Sequence, residues 1–326
     1  MKRKTSGRII FVTLLLIISM ISVSFAEVSK KMAYSLEKEY AMEFIQSLDK
    51  EPQFSGKVKE LYNYRGKIES VLFELSESGY IIVNTNDYSI PELSLESNAR
   101  IDWEKEYLYN GPLALVEFSE SNAMKIEKLS YRYENDKKNK VDINQDSSIS
   151  ESQYNIEPLY SSTSGNLDHS LVTWDYNPDG RCGPLAAAIV LKYYDVNYDS
   201  DMIATQYQNS DEDLSDLLVT YMDGPSTYPA DVRDGLNDYY SDNNLDYTAT
   251  LYGTFSLTRL KAEIADNDNP VMIETDNHPT YREHWIIAHG YLSAAGYDYV
   301  YINNGWGDND ILINVDNYLD DQIIAK

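Results

Sequence analysis

The stretch GRCGPLAAAIVLKYYD, residues 180–195, holds the only cysteine among 326 residues. Asn177, Pro178, Asp179 and Gly180 make a turn-rich approach to it, and Ala186 to Leu191 are apolar residues suited to a buried helix. Cys182 is therefore expected at a helix N-terminus. Unpaired backbone N–H groups and the positive end of the helix dipole there favour the thiolate, the nucleophilic form of the side chain. Pro184 agrees with this placement, because the first helical turn has no use for the donor that proline lacks. The competing reading of a lone cysteine is a small buried hydrophobe.

Working outward, residues 1–26 read as a secretory signal. Lys2, Arg3, Lys4 and Arg8 form the basic region, Ile9 to Val23 the apolar one, and Ser24-Phe25-Ala26 the cleavage site. A retained N-terminal anchor is the alternative, but the apolar region is short for a span. The chain is thus expected to be secreted, with cleavage near Ala26. The formal charge is −26, and it becomes −30 once the four signal cations are set aside, leaving 23 basic against 53 acidic residues. Such a charge argues against nucleic acid or an anionic membrane as a partner. One cysteine permits no internal disulfide, and a leftover thiol in an exported chain is a candidate reactive group.

Residues 27–135 read as a small α+β unit. Ser35 to Leu48 has helical spacing, and Lys67 to Leu75 and Gly79 to Asn84 have strand character. Residues 136–165 are an acidic, polar linker with little to bury. Within it Asp142, Asn144 and Asp146 match part of a calcium loop, but Ser147 stands where glycine is needed and Gln153 where the bidentate carboxylate belongs. Residues 166–326 form a second unit: a short strand at Ser170–Trp174, the cysteine helix, helical pattern over Ser200–Met222, and helices at Thr227–Tyr240 and Leu257–Asp266. Strands follow at Pro270–Glu274, His284–Tyr291, Asp298–Asn303 and Ile311–Val315. This order is α+β.

A thiol nucleophile needs an imidazole and a group that orients the imidazole. In the strand HWIIAHGY, alternation puts His284, Ile286 and Ala288 on one face and Trp285, Ile287 and His289 on the other. The segment YVYINNGWG, residues 299–307, then brings Asn303, Asn304 and Trp306. Four histidines and one cysteine show no metal-ligand spacing, so neither metal nor cofactor is expected.

The Cys-Gly-Pro helix start, the His-led strand and the Asn beside Gly-Trp-Gly together resemble the papain-like clan of cysteine peptidases. The helix and His strand are similar to double-glycine-leader-processing peptidases, and the NNGWG turn is similar to streptopain. Gly79 to Ser97, through Val83, Asp87, Pro91, Leu93 and Ser97, resembles a streptopain-type propeptide or inhibitor domain. The resemblance implies a papain-like fold, with the nucleophile helix packed on an antiparallel sheet, preceded by a smaller α+β pro-region. It implies a secreted endopeptidase made as a zymogen, with Cys182 as nucleophile, His284 as acid and base, and one asparagine orienting it. The streptopain register selects Asn303 and the papain and leader-peptidase registers Asn304; adjacent strand residues face opposite ways, so one of the two serves, with Asn303 the first choice.

The clan's oxyanion glutamine is replaced by Tyr176, and the Tyr176 hydroxyl or the Asn177 amide remains as a second donor beside the Cys182 N–H. One lost donor costs about 100- to 1000-fold in turnover. Expected partners are a protein or peptide substrate and the chain's own N-terminal unit. The alternatives are a cell-wall amidase sharing the Cys-His logic and a catalytically silent binding module, the latter motivated by the missing glutamine and 29 tyrosines.

Overall fold

A computed structural model describes residues 34–113, 115–124, 127, 163–178, 181–222, 224, 228–278, 282–294, 296–315 and 319–326. The signal segment, the degenerate calcium loop and nearly all of the linker lie outside the described residues, as does the His278 side chain. No helix among the described residues is long and apolar enough to cross a membrane.

The N-terminal unit begins with α1, Ser35–Ser47, which buries Ala41, Phe44 and Ile45, an apolar stripe at helical spacing. It lies against a meander of β1 (Phe54–Tyr62), β2 (Ile68–Leu75), β3 (Tyr80–Asn84) and β4 (Glu92–Ser94), each antiparallel to the next. Two short strands follow, β5 (Tyr107–Tyr109), parallel to β1, and β6 (Leu115–Glu117).

The C-terminal unit opens with β7 (Thr163–Asn166), and then come three helices: α2 (Cys182–Asn197), α3 (Asp211–Tyr221) and α4 (Pro229–Asp242). Next are β8 (Ala249–Tyr252), α5 (Leu257–Asn267), and the strands β9 (Val271–His278), β10 (Arg282–Ala294), β11 (Tyr297–Asn303), β12 (Ile311–Asn314) and β13 (Leu319–Ala325). Helix α2 is buried nearly all round, from Cys182 through Leu191. This is the pattern of a helix enclosed by core on every side rather than one lying on a surface. Tyr193 and Tyr194 of this helix and Tyr239 and Tyr240 of α4 are buried as well. The Tyr194 hydroxyl donates to the Ala325 carbonyl at 2.6 Å, so these rings serve packing.

The expected strand at Ser170–Trp174 is not one, and the entry strand is β7, paired with β10. The reason is local. The carbonyls of Leu171 and Val172 accept from the side-chain amides of Asn309 and Asn303, at 3.2 and 3.0 Å, instead of from a neighbouring strand. Helical structure in Ser200–Met222 is confined to α3, which Ser210 caps by accepting from the Asp213 N–H.

The two units meet in one sheet of thirteen strands, ordered β6-β5-β1-β2-β3-β4-β12-β11-β10-β9-β13-β8, with β7 also on β10. The joint is β4 against β12, pairing Leu93 with Leu312 and Glu92 with Ile313. The core continues across it: Phe44, Ile81 and Val83 of the first unit cluster with Leu292, Tyr299 and Leu312 of the second. Leu312 is fully buried at this joint. Leu312→Ala should therefore lower stability by about 3 kcal/mol, the usual cost of a core leucine cavity, measurable as a shift in urea midpoint.

Candidate active site

Cys182 is the first residue of α2 and Arg181 its N-cap. The backbone N–H groups of Trp285, Gly183 and Cys182 lie around the sulfur and favour its thiolate form. The Trp285 contact sets the helix tip against β10 at the residue after His284. Burial nevertheless dominates: it pushes the thiol up to about 11, the three N–H groups pull it back only partly, and the nearby Glu274 carboxylate adds to the rise. The N-terminal helix position therefore does not by itself yield a thiolate in this closed arrangement.

His284 is 3 % exposed on β10. Its Nε2 lies 3.0 Å from the backbone carbonyl of Asn304. A carbonyl only accepts, so Nε2 carries the proton and Nδ1 is left as the basic nitrogen. The indole of Trp306 stacks on the imidazole, with ring centres 4.0 Å apart and 9° between planes.

Both asparagine side chains are engaged in and around the turn. Asn303 donates to the Val172 carbonyl and to Asn309 Oδ1, and accepts from the Gly305 N–H at 2.9 Å. Asn304 accepts from the N–H groups of Trp306 and Asp308 and donates to the Asp308 carboxylate at 2.9 Å. Each amide thus closes the turn, while Asn304 reaches His284 through its main chain. Gly305 and Gly307 have φ of +71° and +87°, left-handed values that suit glycine and let this turn double back.

Tyr176 donates its backbone N–H to the Asp211 carboxylate, and its ring lies 5.8 Å below the Arg181 guanidinium. The Asn177 amide nitrogen is 3.9 Å from where a Cβ on Gly305 would be, in the turn that follows β11. Of the two donors considered, Asn177 is the one placed beside the turn.

His289 sits at a bulge in the β10–β11 pairing. Burial holds its imidazole down to about 4, and Nε2 has no hydrogen-bond partner among the described residues. It is a neutral core histidine beside Tyr301. His169 packs edge-on at 6.2 Å from Tyr198. Among the described residues no group of three or more His, Cys, Asp or Glu side chains is arranged to hold a metal ion.

Removing the ring that covers His284 should be visible in turnover. Trp306→Ala is expected to lower kcat/KM on a protein substrate about 10- to 100-fold, since roughly 1 Å of misplacement costs about that much; the drop should appear in kcat.

No curated protein matches the chain. Residues 166–317 match the model described as the Peptidase_C39 like family, and this match supports a papain-like cysteine peptidase clan for that part of the chain and a cysteine-type peptidase as its general class.

Proposed function

We propose that the protein is an exported cysteine peptidase in which Cys182 is the nucleophile and His284 the acid and base. The observation that carries the reading is a cysteine at the tip of a helix that packs on β10, the strand whose His284 has its Nε2 held by the Asn304 carbonyl. In this reading Nδ1 of His284 takes the thiol proton as sulfur attacks the peptide carbonyl carbon. The tetrahedral oxyanion is met by the Cys182 N–H and the Asn177 amide. As the C–N bond breaks, the imidazolium returns its proton to the leaving amine, giving a thioester. Water, deprotonated by His284, then cleaves the thioester and restores the thiol.

The finer kinship we propose is with leader-processing peptidases for the helix and His strand and with streptopain for the N-terminal unit. Ser97, one of the streptopain-like positions, donates through Oγ to Asp310 of the C-terminal unit at 2.6 Å, which supports a cis-acting role for the first unit. Release of that unit is what a zymogen requires. The shared sheet and core favour a second reading, in which it stays docked after any cleavage in the linker.

A catalytically silent binding module is favoured by one observation, the buried thiol held up to about 11. Treatment of the full chain with an epoxysuccinyl thiol inhibitor, read by mass spectrometry, separates these readings: an adduct on Cys182 and cleavage of casein support the peptidase. No adduct and no cleavage after linker proteolysis would sink it, and cleavage of peptidoglycan but not casein would favour the amidase.

A further inference from the structure

We infer that Arg100, in the N-terminal unit, is a positioning residue for the catalytic imidazole, so that the first unit contributes to the site rather than only covering it. The inference rests on the reading of His284 as acid and base. Arg100 reaches across the joint with both arms of its fork. Its Nη2 donates to the backbone carbonyl of Trp306, and its Nε lies 3.2 Å from the Asp308 carboxylate. Both acceptors belong to the turn that governs His284. Trp306 is the stacked ring, and Asp308 accepts from Asn304, whose carbonyl holds Nε2.

Two further observations make the guanidinium more than a surface ion pair. A cavity of about 360 Å³, lined by Glu92, Leu113 and Arg100 on one side and Asn304, Trp306 and Asp308 on the other, adjoins the turn. On that side the turn is therefore held by the guanidinium rather than by close packing. The neighbouring contact is of the same kind: Asp310 accepts from Ser94 Oγ, from the Glu96 N–H at 2.8 Å and from Ser97 Oγ at 2.6 Å. Both ends of the segment from Trp306 to Asp310 are thus pinned by the N-terminal unit. Only arginine supplies two donors in a planar fork that can serve a carbonyl and a carboxylate at once. An exposed ion pair contributes little to stability, so the effect should fall on geometry at His284 rather than on folding.

The test compares the full chain with Arg100→Ala and Arg100→Lys. Casein cleavage and the rate of Cys182 alkylation are followed, and the imidazole nitrogens are followed by NMR on histidine-labelled protein. Arg100→Ala should lower kcat/KM about 10- to 100-fold through kcat. It should shift the His284 nitrogen resonances while leaving those of His289, and low millimolar guanidinium ion should restore part of both. Arg100→Lys should fall between, keeping the charge but losing the second arm. Unchanged His284 resonances in Arg100→Ala would overturn the inference. So would a loss of rate matched by a fall in melting temperature and not relieved by guanidinium. If the unaltered chain neither cuts casein nor alkylates, the peptidase reading fails by that result, and the His284 resonances still decide the role of Arg100.

Discussion

Cys182→Ala is expected to abolish cleavage of casein, a loss of about 10⁶-fold, while the chain stays folded. The size follows from the role. When the nucleophile of a cooperating pair is removed, the remaining groups keep only binding and oxyanion stabilisation, and losses of about that order are the rule. The folding half follows from the environment. Cys182 is 5 % exposed within the core that encloses α2, and no disulfide or metal depends on it among the described residues. Exchanging a thiol for a methyl there should change stability by about 1 kcal/mol or less. The pairing of a large kinetic effect with a small thermal one is what marks a nucleophile. A merely structural cysteine would show the reverse, with the urea midpoint falling and any residual cleavage tracking the folded fraction.

Much of the local structure that carries the candidate site was legible in the sequence, for physical reasons that differ between its parts. The helix start could be read because Asn177 to Gly180 cannot continue a regular element and Ala186 to Leu191 can do little but be buried in one. The strand carrying His284 could be read from β-branched and aromatic residues between turn signals. Alternation along it held as far as Ala288 and then met a bulge at His289, which a strict period of two does not anticipate. The contact that His284 Nε2 makes was not legible as a residue type. It is made by a main-chain carbonyl, which every amino acid owns, and the two asparagines that drew attention spend their amides on closing the turn and on the Leu171–Val172 stretch through Asn303 and Asn309.

The last two strands of the sheet, β8 and β13, were missed because β8 has only four residues and β13 begins with the acidic and polar Asp320, Asp321 and Gln322 after Leu319. Their placement comes from partners far along the chain, with Ile323 against Met272 and Leu251. Arg100 was invisible for the same reason. Its partners lie more than two hundred residues away, and no local pattern reports such a meeting.

Glu274→Gln should make the protein more stable above pH 7 and shift thiol alkylation to lower pH. Glu274 is 5 % exposed on β9, opposite Trp285. Burial, aided by the carboxylates of Asp321, Glu283, Asp276 and Asp320, pushes it up to about 8 from an ordinary 4.5. The folded state therefore holds a proton that the unfolded chain has released between about pH 4.5 and 8. By linkage, the stability associated with this group is fully present below about pH 4.5 and is lost as pH rises through 8. Of the two buried groups compared, His289 acts in the opposite sense. Its folded value near 4 means that its contribution is present above about 6.5 and lost as pH falls through 4. The two slopes oppose each other between 4.5 and 6.5, so the Glu274 effect should stand clear only from about pH 6.5 upward. Only about 1.5 pH units of the shift lie above pH 6.5, so at about 1.4 kcal/mol per unit the native chain should lose about 2 kcal/mol at most by pH 8.5, and less where solvent reaches the carboxyl. The glutamine variant, with no proton to lose, should not. The same substitution removes a negative charge that raises the Cys182 thiol, so the midpoint of the alkylation rate against pH should move down in the variant. Urea titrations at pH 6.5 and 8.5 and a pH series of alkylation rates measure the two effects separately. Equal pH dependence in both proteins would mean that Glu274 is ionised throughout and that the acidic end of β9 has no hold on the thiol.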